Sequence, residues 1–124
     1  KGEYMRNGKS VQKEDFEIIN TPESFVRDFK YIAKNMDVST QSLYRKLVTI
    51  TIQSFPDIYS NEDLTEKESR KFHGKIHFVG DEKKKKLKTL SKNIGVPPSI
   101  LLKLQLIAFV TSQPDRLKRK PLDY

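Results

Sequence analysis

The sequence predicts a mainly α-helical protein with one two-stranded antiparallel β-ribbon, built as strand, helix, helix written twice. Three observations predict it. Shifted by 58 residues, "KNMDV" at 34–38 falls on "KNIGV" at 92–96, and 16–57 against 74–115 gives nine identities in 42 positions. Self-similarity at a fixed offset defines the unit that folds. Each copy also reads as a short β-branched segment followed by two stretches of helical period. Finally, a unit of 42 residues is too small to bury an adequate core alone. The two copies are therefore expected to share one.

In the first copy, "EDFEIIN" is the strand, and "TPES" starts a helix with Thr21 as N-cap and Pro22 at the first helical position. Phe25, Phe29, Ile32, Ala33 and Met36 then fall on one helical face. Asp37 ends that face, and Ser39 caps the next helix, whose stripe is Leu43, Leu47, Ile50 and Ser54 before Pro56. The run "VTITI" at 48–52 alternates as a strand would, but its counterpart "LIAFV" at 106–110 does not, so both are read as helix. In the second copy "GKIHFV" is the strand, and Asp81 caps a helix with Leu87, Leu90 and Ile94 inward. Gly95 ends it as a left-handed C-cap, and Pro97-Pro98 opens a last helix that is apolar nearly all round. That helix should be the most buried element.

A lone strand cannot leave its donors and acceptors unpaired beside a core. The two strands, 16–20 and 75–79, are expected to pair, antiparallel because related copies meet about a two-fold axis. The organisation is an N-terminal tail at 1–12, a first repeat at 13–56, a linker at 57–73, a second repeat at 74–114 and a basic tail at 115–124. The linker is polar, with a short helix compatible with 62–71, and the tails read as flexible or lightly docked.

The net charge is +8, but residues 15–57 carry five basic and six acidic residues. The excess lies in the tails and in "DEKKKKLKTLSK" at 81–92, with six lysines against two acids. Such an excess attracts polyanions, nucleic acid above all, while a lysine run is also an ordinary solvated helix face. The lysines open their helix with the sign that its N-terminus disfavours. There are no cysteines, which excludes disulfides and thiolate metal sites and fits a reducing compartment. No apolar run reaches the ~18 residues of a membrane span.

The strand ending in "TP", the helix "ESFVRDFKYIAKNM", the turn "DV" and the helix "STQSLYRKLV" resemble the ribbon-helix-helix family of DNA-binding proteins. The spacings Pro22 to Asp37 and Gly80 to Gly95 match that family's distance from ribbon to turn. A fused pair is similar to the TraY-type and T-DNA-transfer accessory proteins of conjugation. The resemblance implies a tandem ribbon-helix-helix (β-α-α-β-α-α) forming one intramolecular pseudo-dimer. It also implies a ribbon in the DNA major groove and second-helix N-termini on phosphates.

The candidate phosphate contacts are Ser39, Thr40, Gln41, Ser42 and Ser99, with Lys83, Lys84, Lys85 and Lys86. The serines and threonine are equally explicable as helix caps. Two prolines at the second site remove donors and should weaken it. The ribbon has two faces of period two, Phe16, Ile18, Asn20, Ile76 and Phe78 against Glu17, Ile19, Thr21, Lys75, His77 and Val79. Apolarity buries the first set, whereas counting back from the turn as the family is built buries the second. A bulge or one-residue slip would reconcile the two. With burial deciding, the DNA-facing candidates are Glu17, Ile19, Thr21, Lys75 and His77, joined by polar Asn20. Neither face has the trio of Arg, Lys, Asn or Gln expected of a base reader.

The expected function is double-stranded DNA binding, as a bacterial transcription regulator or an accessory protein of a mobile element or relaxosome. The alternative is a protein-interaction module on the same fold, antitoxin-like, docking a partner on an apolar ribbon. An enzyme is not expected. His73 and His77 lie in a strand and linker, and no Gly-rich phosphate loop or carboxylate pair with metal spacing occurs. No cofactor or metal is expected. The partners are duplex DNA and other proteins of a transfer or regulatory complex, not a membrane. The chain is expected to be monomeric by fold, cooperative on adjacent DNA sites, and cytoplasmic at the nucleoid.

Overall fold

The computed structural model describes residues 15–54 and 71–121. The chain order is β1 (Phe16–Pro22), α1 (Glu23–Asn35), α2 (Thr40–Ser54), β2 (Lys71–Ile76), α3 (Asp81–Ile94) and α4 (Pro98–Ser112), with a closing 3-10 turn at Asp115–Lys118. Among the described residues the protein is mainly helical with one two-stranded antiparallel sheet. The 58-residue offset reappears at the starts of α1 and α3, at 23 and 81, and of α2 and α4, at 40 and 98. It reappears in the backbone too. Asn20 and Phe78, one offset apart, have φ of 52° and 58°, and Asp37 and Gly95 have φ of 62° and 84°.

The second pair is the turn between helices. Val38 N–H donates to the Ala33 carbonyl, and Val96 N–H to that of Ser91, so a left-handed residue closes both α1 and α3. Gly95 meets this conformation without strain, and Asp37 is among the side chains that tolerate it. At the other ends, Ser39 caps α2 as expected, its Oγ accepting from Ser42 N–H at 3.0 Å. Two expected caps are corrected. Pro22 and Gly80 occupy the N-cap positions of α1 and α3 without side-chain cap bonds. Thr21 turns its hydroxyl to the Ile19 carbonyl at 3.5 Å, and Asp81 is already inside the helix.

β1 and β2 pair with Phe16 opposite Ile76, Glu17 opposite Lys75 and Ile18 opposite Gly74. Glu17 and Lys75 are one offset apart, so equivalent residues of the two copies face each other at the middle of this pairing. Beyond it the register shifts, with Thr21 opposite Phe72 and Pro22 opposite Lys71. Ile19 and Asn20 thus share the place opposite His73, a bulge in β1. β2 begins three residues earlier than the expected strand and stops at Ile76, so 71–73 belong to the ribbon and not to a linker. Residues 57–70, with most of the expected helix at 62–71, and the N-terminal tail 1–12 lie outside the described residues, as does Pro56.

β1 lies on α4, while α1 packs on α4 and α2 on α3, so helices of different copies interlock. The shared core contains Phe16, Ile18, Phe29, Leu43, Leu47, Ile76, Leu87, Leu101 and Leu106. α4 buries six of its 15 residues, Leu101, Leu102, Gln105, Leu106, Ile107 and Val110, in keeping with its all-round apolarity. The α1 stripe is rotated from expectation: Val26 is buried and Met36 is exposed at the helix end. "VTITI" is helical, and buried Thr51 satisfies its hydroxyl on the Leu47 carbonyl at 2.8 Å. The C-terminal segment is docked, because Asn35 Nδ2 donates to the carbonyls of Leu117 and Arg119 at 2.9 and 3.0 Å. No single helix among the described residues is long and apolar enough to cross a membrane.

Candidate nucleic-acid interface

The inner ribbon face is set by Phe16, Ile18 and Ile76, all at or below 5% exposure. Alternation then turns Glu17 and Lys75 outward, and both are exposed. Past Ile18 the bulge resets the alternation. Asn20, which alternation places inward but which is a DNA-facing candidate by polarity, is exposed, whereas Thr21 is fully buried. Thr21 therefore leaves the set of DNA-facing candidates. Ile19 is half-buried.

At the other end the chain leaves β2 through residues 77–80, and Asp15 shapes that exit. Asp15 N–H donates to the Ile76 carbonyl at 2.8 Å, and its Oδ2 accepts from Val79 N–H at 2.8 Å. The two bonds bracket His77 and Phe78. Val79 is drawn into the core at 8% exposure, and Phe78 is turned out at 67%, the reverse of the expectation for both. Burial pushes the Asp15 pKa up, but the Val79 N–H and the Lys84 ammonium outweigh it, so the carboxyl titrates below its ordinary value.

The N-terminus of α2 is fastened to the same exit. Gln41 Nε2 donates to the Lys75 carbonyl at 2.7 Å, and Gln41 Oε1 accepts from His77 N–H at 3.1 Å. Its side chain extends the ladder by one further pair, so the Gln41 side chain serves the ribbon, while its backbone N–H belongs to the first turn of α2. One turn on, Arg45 donates to the His77 carbonyl at 3.2 Å and to Ser42 Oγ at 3.4 Å. Ser39 and Thr40 precede Gln41 at the start of this helix. The counterparts of Gln41 and Arg45 in the second copy are Ser99 and Lys103, which lack the same reach. Pro97 and Pro98 remove two donors there.

The lysine run divides by environment. Lys84 Nζ lies 3.1 Å from Asp15 Oδ1 and is only partly exposed, so this candidate phosphate contact holds the ribbon exit instead. Lys83, Lys85 and Lys86 are exposed on α3, with Lys86 3.3 Å from Glu82 one turn back. Asp81 and Glu82 precede Lys83 and Lys84 in the first turn, and their sign is the one the N-terminus favours. The electrostatic cost expected of the lysines is therefore largely offset. No group of His, Asp and Glu among the described residues could hold a metal ion.

Phe78, Asp15 and Arg45 were missed by sequence reasoning. The repeat was the available signal for Phe78, because its counterpart Asn20 is a residue type suited to positive φ. Comparison with known proteins finds no matching family model, no matching curated protein and no matching solved structure.

Proposed function

We propose that this chain is a tandem ribbon-helix-helix unit, an intramolecular pseudo-dimer that binds double-stranded DNA with its ribbon in the major groove. The observation that carries the reading is the pairing of repeat-equivalent Glu17 and Lys75 on the outer face of a ribbon whose inner face is core. A two-stranded ribbon suits a groove about 12 Å wide. The α2 N-terminus, fastened by Gln41 beside that face, is suited to a flanking phosphate. Lys83, Lys85 and Lys86 supply cations on the next helix. The biological setting that fits is a bacterial regulator or an accessory factor of a mobile element, cytoplasmic and at the nucleoid. The protein-docking alternative has less apolar ribbon to use, because Phe16, Ile18 and Ile76 are buried in the protein's own core while half-buried Ile19 and exposed Phe78 stay outside it.

A fluorescence-anisotropy titration with random-sequence duplex tests the reading. Affinity should fall more than tenfold between about 50 and 200 mM salt, as two or more phosphate contacts require. Reversing Lys83, Lys85 and Lys86 to Glu should flatten the slope, while Lys84→Ala should lower stability with little effect on it. An affinity indifferent to salt contradicts DNA backbone binding.

A further inference from the structure

Asn20 and Phe78 occupy equivalent places in the two copies, share a left-handed backbone, and are both exposed. A bulky aromatic at φ 58° is a strained conformation. It persists because the surroundings over-determine it. Asp15 brackets the segment by bonds to Ile76 and Val79, and Gln41 and Arg45 hold the His77 backbone from the α2 side. The result is a phenyl ring displayed at 67% exposure, tilted against the His77 ring with centroids 6.3 Å apart. On β1 the bulge does the same for Asn20. Each lies three residues from the Glu17–Lys75 pair, in opposite directions, so they stand apart along the ribbon by less than the about 20 Å of six extended residues.

We infer that Asn20 and Phe78 are the two base-reading residues of the ribbon, Asn20 recognising adenine and Phe78 the methyl group of thymine, so that the target site has two unlike ends. The inference rests on the DNA-binding reading and deepens it. An Asn amide matches the N6 and N7 edge of adenine, and an apolar side chain packs on the thymine methyl. The cations that would hold a duplex against this face are Lys75, exposed on the ribbon, and Lys83 and Lys85, exposed on α3, the helix that starts three residues after Phe78. A homodimeric ribbon presents the same residue at both ends and reads a palindrome. This one presents an amide at one end and a phenyl ring at the other.

The test uses short randomised duplexes from which the full-length wild-type chain, Asn20→Gly and Phe78→Gly each select their preferred sequences. Glycine keeps the left-handed backbone while removing the side chain, so both variants should fold. Wild type should enrich an asymmetric site, with each variant losing its preference at one end only and keeping affinity for random duplex. Replacing thymine by deoxyuridine at the Phe78 end should weaken wild type about fourfold, the worth of one methyl-sized group, and leave Phe78→Gly unchanged. Binding with unaltered preferences in both variants would overturn the inference alone. Failure of the wild-type chain to bind any duplex at low salt would overturn it together with the DNA-binding reading.

Discussion

Asp15 binds the Val79 N–H through one carboxylate oxygen and the Lys84 ammonium through the other, at 2.8 and 3.1 Å. A carboxyl with a lowered folded-state pKa stabilises the fold above its unfolded value of 3.8, and that contribution is lost as pH falls through the folded pKa. Wild type should therefore lose more stability than Asp15→Asn when denaturant unfolding is followed from about pH 5 downward, the range in which such carboxylates are protonated. Equal slopes for the two proteins would remove Asp15 as the anchor of the ribbon exit. Other residues show where the two copies have diverged. Gly74 stands where the first copy has Phe16, and a Cβ there would lie 2.5 Å from the Phe72 ring and 3.3 Å from the Tyr44 hydroxyl. Tyr44 stacks on Phe29 at 4.9 Å, and burial pushes its pKa up to about 12. Neither Tyr44 Oη nor Gln105 Oε1 finds a hydrogen-bond partner among the described residues.

At the scale of elements, the ribbon carries its own pairing rule. Equivalent residues meet at its centre, and the two copies have opposite charges there, Glu17 and Lys75. Two first copies pairing with each other would bring Glu17 against Glu17, which like charges disfavour. Glu17→Lys should thus destabilise the protein by about 0.5 kcal/mol, and the exchanged pair Glu17→Lys with Lys75→Glu should restore it. Thermal unfolding of the three proteins reads this directly, and a double variant no better than the single one would deny the pairing an electrostatic role. The helices were legible from sequence because period 3.6 and turn residues at Asp37 and Gly95 repeat at one offset. The ribbon was legible only in part. Alternation identified Phe16, Ile18 and Ile76 as its inner face, and the mark of the extra residue at 19–20 is Asn20, a residue type that tolerates positive φ. The exit at 77–80 depends on Asp15, remote in sequence. Lys71 to His73 read as linker because their charge and polarity hide a strand whose partner, Thr21 and Pro22, is set by the bulge.

At the scale of the whole molecule, residues on both sides of the 58-residue offset share one hydrophobic core. α1 lies on α4 and α2 on α3, so each copy completes the other. The two halves differ where function is proposed, with Asn20 in the β1 bulge against Phe78 at the β2 exit and Gln41 against Ser99 at the helix starts. The basic excess of +8 sits mostly outside the first copy, so a duplex would meet one end of the ribbon more strongly than the other. The most direct measurement is amide chemical-shift mapping of the labelled chain titrated with duplex DNA. The account predicts the largest shifts at Glu17, Ile19, Asn20, Lys75, His77 and Phe78, followed by Ser39 and Thr40. Shifts gathered on α1 and the 115–118 turn, with the ribbon amides unmoved, would contradict it.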